Sequence, residues 1–275
     1  MAVSARIFLF IFSFVFTSIF SQNKWNIRYY HEIEGREAVI YADNEEWMPM
    51  STKFSFKLNN MSSSLPDGTT VVIPAKSKKI EVARLTPIKP NAANGFKYDM
   101  SINFGNVHIE KYDEDYQYWL PFEKGRTQLI FQGYNGNFSH QNTLALDFNL
   151  KNGDPVHAAR EGLVTEVVAK NTKSCPDISC AKYNNYILIM HSDGTFAVYS
   201  HLKLNGAAVK PGDTVEKGAL IGYSGNTGFS NGPHLHFSVF INSISGERRY
   251  IKTKFRTSLS ENAVLQEKKS YTRDY

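Results

Sequence analysis

The sequence predicts an all-β protein: a small N-terminal β-sandwich followed by a compact β-barrel or sandwich of short strands. Three observations carry that prediction. Short alternating or apolar runs recur over residues 22–115, separated by turn signals. Beyond Pro211, turn signals such as Pro211-Gly-Asp, Lys217-Gly218 and Ser224-Gly-Asn-Thr-Gly228 follow one another every few residues. Between Leu235 and Ile241, apolar residues alternate with His236, Ser238 and Phe240. Side chains alternate across a strand, so His234 and His236 share one face while Leu235, Phe237, Val239 and Ile241 share the other.

Length and composition set the outer bounds. A chain of 275 residues suggests two ordinary domains. With 42% hydrophobic residues, 19 Phe and 15 Tyr, it can fill sizeable cores. The formal charge of +5 is mild, and no dense basic run or nucleic-acid motif accompanies it, so nucleic acid is not an expected partner. Residues 1–21 read as a secretory signal. Arg6 precedes an apolar run of 14 residues, Ile7 to Phe20, closed by the small Ser21. That run is short of the ~20 residues that span a bilayer. The expectation is an exported chain, periplasmic or secreted, starting near Gln22 and without a membrane span; an uncleaved anchor is the rival reading.

Within residues 22–115, the strand runs are Trp25–Tyr30, Ala38–Tyr41, Phe54–Leu58, Thr70–Ile73, Ile80–Leu85 and Tyr98–Phe104. Nothing in this unit points to chemistry: His31 and His108 stand alone and read as structural or surface groups. The acidic, aromatic stretch Tyr112–Phe122 leads into a second domain, 116–252.

That domain opens with a strand at Leu129–Gln132 and a loop, Gly133–Ser139, before His140. Next, Leu144, Leu146 and Phe148 fall on one face and Asp147 on the other. A carboxylate in so apolar a stretch is costly to bury unless it is paired or binds metal. His157, at a strand edge, reads as structural. Cys175 and Cys180 are the only cysteines; in an exported chain the pair suggests a disulfide, half of a zinc site being the rival. Tyr186–His191 and Thr195–His201 flank Ser192-Asp-Gly194 as a hairpin, with His191 beside the turn and expected to be exposed. Thr195, Ala197, Tyr199 and His201 are expected on one face, Phe196, Val198 and Ser200 on the other. Gly222–Gly228 lacks the lysine and the following helical pattern of a phosphate loop. Residues 253–275 read as a polar tail, partly ordered, with anchors at Phe255, Leu259 and Leu265.

His140 with Asp147, His201, and His234-Leu-His236 make one constellation. Two His and one Asp form a three-ligand zinc set that leaves a fourth position open, the pattern of a catalytic site. Of two imidazoles side by side, both can bind the metal, or one can bind it while the other moves protons. No His-Glu-x-x-His helix offers a glutamate base, so a neutral imidazole would have to take the proton of an attacking water.

Ser139-His140…Ala145-Leu-Asp147, Tyr199-Ser-His201-Leu202 and Gly232-Pro-His234-Leu-His236-Phe237 together resemble the LytM/lysostaphin family of zinc metallopeptidases. The resemblance covers about residues 120–252 and includes Val209–Gly218 and Ile221–Gly228. It implies cleavage of peptide bonds in bacterial peptidoglycan, with His140, Asp147 and His236 on zinc and His201 and His234 as the catalytic histidines. One departure stands out: six residues, Gln141 to Leu146, separate His140 from Asp147, more than the family pattern leads one to expect. Two other readings are compatible with the fold: a non-catalytic regulator or wall-binding module, which would be expected to lack one of the five residues, and a metal enzyme acting on another small exported substrate. Signal and fold fit a periplasmic enzyme acting on D-Ala–diaminopimelate links, with glycine bridges or secreted proteins as the other readings.

Overall fold

The structure is a computed structural model, and it describes residues 25–275. The expected signal, 1–21, lies outside the described residues. Among the described residues, apart from one 3-10 helix, Ile178–Tyr183, the regular elements are strands.

The N-terminal unit has two antiparallel sheets. One runs in the order Ile27–Glu34, Glu37–Asn44, Ser77–Pro87, Met61–Ser63; the other in the order Thr70–Ile73, Met50–Asn59, Gly95–Phe104. Ala38 and Ile40, Met61, and Ala83 and Leu85 from the first sheet meet Phe54 from the second in a shared core.

The second unit is built on a nine-stranded sheet. Strand Leu235–Asn242 lies near its middle, paired with Phe196–Ser200 on one side and with Ala145–Phe148 and then Arg248–Ile251 on the other. Leu235, Phe237, Val239 and Ile241 enter the main core, as their alternation requires. Ala197, Tyr199, Ile187 and Ile189 join them from neighbouring strands. A small sheet of Pro155–His157, Leu220–Ser224 and Leu202–Ala207 closes this core through Val156, Ile221 and Leu202.

The opposite face departs from the half-buried strand that the alternation suggests. Phe240, Phe196, Val198 and Leu188 form a second core with Ile27, Met48, Met50, Ile73 and Phe104 of the N-terminal unit. The ring of Phe104 meets Phe196 edge-on at 5.1 Å and Phe240 at 6.3 Å. The N-terminal unit therefore covers the far end of the histidine face.

Two expectations are corrected. Residues 253–275 are more fully ordered than the partly ordered tail expected: Phe255 and Leu265 are buried anchors, Lys254–Phe255 pairs with Gln117–Tyr118, and Ser270–Thr272 extends the main sheet beside Thr127–Gln132. Arg273 is buried and donates to the Phe122 carbonyl at 2.6 Å, whereas Leu259, expected as an anchor, is 95% exposed. His191 is buried rather than exposed, with Nδ1 donating to the Glu161 carbonyl at 2.8 Å. Burial, helped by the Arg160 cation, pushes its pKa down to about 4.

The shared second core couples the two units. Phe240→Ala removes a fully buried ring from it and is expected to cost about 3–5 kcal/mol. Calorimetry should show one transition, moved to lower temperature, for both units together. Two separate transitions in the parent protein would show that the core does not couple them.

Candidate metal centre and active-site cleft

Register places the first two groups. Asp147 lies directly opposite His236 across the Ala145–Phe148/Leu235–Asn242 pair, and His236 lies opposite Ser200 on its other side. His140 arrives from the preceding loop. That loop folds back on itself through His140 N–H to the Gly136 carbonyl (3.1 Å) and Thr143 N–H to the His140 carbonyl (2.9 Å). Asn142 takes a left-handed conformation there (φ 55°). The six residues between His140 and Asp147 are thus taken up as a turn, and both side chains still reach one point.

His140 Nε2 is 3.1 Å from His236 Nδ1 and 3.2 Å from Asp147 Oδ1, and His236 Nδ1 is 3.0 Å from the same Oδ1. His140 Nδ1 faces the Gly133 carbonyl at 2.9 Å. A carbonyl only accepts, so Nδ1 carries the proton and the Nε2 lone pair points inward. A lone pair, a second imidazole nitrogen and a carboxylate oxygen converge in a buried place, which is repulsive unless a cation lies among them. Zinc bonds of ~2.0–2.1 Å at tetrahedral angles put ligand atoms ~3.3 Å apart, so the observed spacing fits that ion. His140, Asp147 and His236 are the residues that would hold it.

The electrostatics agree. Burial alone would raise the Asp147 pKa, yet the His140 and His236 rings, in their protonated forms, hold it well below the usual carboxylate range. For His140, burial disfavours the charged form, but the Asp147 carboxylate outweighs it and the pKa rises. Gln132 fixes the second carboxylate oxygen, its Nε2 lying 3.1 Å from Asp147 Oδ2 and 2.8 Å from Ser139 Oγ.

His234 and His201 flank this set. The rings of His201 and His234 are 4.5 Å apart, and that of His201 is 5.8 Å from His236. His234 Nδ1 donates to the Gly232 carbonyl at 2.8 Å and His201 Nδ1 to the Thr227 carbonyl at 2.7 Å. In both rings Nε2 is left as the basic atom; that of His234 is 3.8 Å from Asp147 Oδ1. Burial lowers the pKa of both, that of His201 to about 3 with the neighbouring imidazoles adding to the effect. The pair is therefore neutral at pH 7.

His201 does not follow the strand alternation. The strand ends at Ser200, and His201 has a left-handed backbone (φ 64°), its N–H donating to Asn184 Oδ1 at 2.9 Å. It lines the same cleft as Ser200 instead of joining Tyr199 in the core. Strained backbone of this kind collects at functional sites. The five expected residues come together, and His31, His108 and His157 lie elsewhere: His31 packs on Phe96, His108 is exposed, and His157 hydrogen-bonds the Gly218 carbonyl at 2.9 Å. The supporting groups Gln132, Asn184 and Thr227 escape a sequence reading. Only Gln132 had a signal, as the last residue of the strand before the His140 loop.

His201 and His236 open into a cleft of about 510 Å³. Leu188, Val198 and Ser200 from the sheet line it, with Phe229, Ile178 and Ala181 from the surrounding loops and Phe104 from the N-terminal unit. Ile178 and Ala181 belong to the 3-10 helix, which the Cys175–Cys180 disulfide ties to Ser174–Cys175. That short strand pairs with Gly228–Phe229. The zinc half-site reading of the two cysteines is thereby set aside.

An all-β domain that gathers a His-Asp-His donor set beside two neutral imidazoles in an open cleft has the make-up of a metallopeptidase. The model of peptidase family M23 matches residues 141–247, beginning one residue after His140. Lysostaphin of Staphylococcus simulans is 34% identical over 113 residues, 41% of this chain and 20% of that protein. The DD-carboxypeptidase/endopeptidase Mpg of Neisseria gonorrhoeae is 33% identical over 97 residues, 35% of this chain and 20% of that protein. The chain spans about a fifth of the length of these curated relatives. Against the solved catalytic domain of S. simulans lysostaphin, identity is 29% over 46% of this chain and 87% of the other, with a TM-score of 0.34.

Gly228 holds the loop that carries the His201 acceptor. Its φ is +84°, and a Cβ there would stand 2.8 Å from Asn184 Cα. Gly228→Ala is expected to lower stability by at least ~1 kcal/mol in urea titration. Gly232→Ala, with nothing within 4 Å of the added carbon, is the control expected to change little.

Proposed function

We propose that this chain is an exported zinc endopeptidase that hydrolyses peptide bonds in the cross-links of bacterial peptidoglycan. The observation that carries the reading is the convergence of three donor atoms, 3.0–3.2 Å apart, beside two imidazoles whose Nδ1 protons are already committed. The named activities of the matched relatives, a lysostaphin and a DD-carboxypeptidase/endopeptidase, support the substrate class. The apolar leader supports export, and no described helix is long and apolar enough to cross a membrane.

Bound zinc would polarise the scissile carbonyl and make a water acidic enough to attack it near neutral pH. His140, Asp147 and His236 would hold the zinc. His201 in the cleft wall and His234 beside Asp147 keep basic Nε2 atoms next to the donor set, and their low proton affinity keeps those atoms free at pH 7. The pair divides two tasks: accepting the proton of the attacking water and delivering a proton to the departing amine. The Gly232 and Thr227 carbonyls hold each ring in the tautomer these tasks need. With the donor set complete, a regulator that has lost its metal ligands is the weaker reading.

Five variants test this. His140→Ala, Asp147→Ala and His236→Ala are expected to lose zinc and activity together. His201→Ala and His234→Ala should retain zinc yet lose turnover, on the order of 10²–10⁴-fold each. Zinc per chain by elemental analysis and release of soluble fragments from isolated peptidoglycan are the two measurements. Full activity in both His201→Ala and His234→Ala would refute the proposed chemistry; zinc lost with His234→Ala but kept with His236→Ala would exchange their roles.

A further inference from the structure

The cleft continues past the histidines, and two opposite charges face this arm of it without pairing. Glu166 and Arg248 both line it, and neither forms an ion pair among the described residues. Glu166 is there because of a β-bulge. In strict alternation it would follow Val164, which is in the main core. The register of Gly162–Val168 against Tyr186–Met190 slips between Val164 and Glu166, so that Glu166 stands opposite Leu188, a residue of the cleft face. Bulges beside active sites commonly re-aim one side chain in this way. Its Oε1 accepts from the Tyr186 hydroxyl at 2.5 Å, which leaves the second carboxylate oxygen available as an acceptor.

Arg248 comes from the other side. Its strand, Arg248–Ile251, takes over from Ala145–Phe148 as the partner of Leu235–Asn242. Its guanidinium lies over the Phe240 ring, 4.0 Å from the centroid, and the side chain is exposed. The stacking holds a planar fork of donors open toward the cleft. From His236 to the level of Phe240 is four residues of strand, or ~13 Å. Phe104 of the N-terminal unit lines the same end.

We propose that this arm of the cleft is a specificity subsite for a substrate side chain ending in both a carboxylate and an ammonium, the carboxylate received by Arg248 and the ammonium by Glu166. The assignment rests on the peptidase reading above and refines its substrate. A run of glycines has no group for either charge. A diamino-dicarboxylic stem residue has both.

The test uses four synthetic stem peptides. One contains 2,6-diaminopimelate with its free end intact. In the second that carboxylate is an amide, in the third that amine is acetylated, and the fourth is a pentaglycine capped at both ends. Affinity is read by titration calorimetry with the His234→Ala chain, so that turnover does not intervene. The intact peptide is expected to bind best, by about tenfold for each charge removed. Adding Arg248→Gln should erase the difference between the intact and amidated peptides alone. Adding Glu166→Gln should erase the difference between the intact and acetylated peptides alone. Equal affinity for all four peptides, or preferences that survive both substitutions, overturns the subsite. If the preferences hold and the unsubstituted chain cleaves none of the peptides, the subsite stands and the peptidase reading falls.

Discussion

A buried carboxylate beside a buried imidazole is the constraint on which the second unit turns. Asp147 is paired in register with His236, two strands deep in a sheet covered on both faces. Left alone there, its charge would be driven to take up a proton. It stays ionised because His140, His236 and Gln132 surround it. Those three residues come from a loop and two strands, so the sheet order, the folded loop before Asp147 and the tautomers of the histidines all bear on one anion. A slip of one residue in that register would turn Asp147 into the apolar core and His236 out of the site.

Around this anion the protein uses main-chain carbonyls as fixed points. Gly133, Gly232 and Thr227 each hold the Nδ1 proton of one histidine. The acceptors lie on loops, yet those loops are not slack: one is braced by its own hydrogen bonds, another by pairing with the disulfide segment. Rigid placement of ring nitrogens supplies the geometry that a flexible loop alone would not hold.

The site was largely legible in the sequence because its signals are local. His234 and His236 share a face by strand periodicity, and Asp147 stands out because its neighbours are apolar. What escaped is long-range. The burial of Phe240 and Phe196 under another unit cannot be seen from their own strands. His191 reads as a turn residue, yet Glu161 and Arg160, distant in sequence, bury and fix it. The segment 253–275 looks polar because its strands are short and depend on partners more than a hundred residues away. His201 follows the expected alternation in name only: a single left-handed residue changes which side it serves, and φ is not written in a two-residue period.

The face shared by the two units also bears on how this protein could be handled in pieces. The second unit, where the M23 match lies, is the natural choice for expression by itself. Cut free near residue 116, it would leave Leu188, Phe196, Val198 and Phe240 uncovered on one side of its sheet. Contiguous apolar surface of that kind drives self-association in water. The N-terminal unit works as a built-in solubilising cover for the second unit.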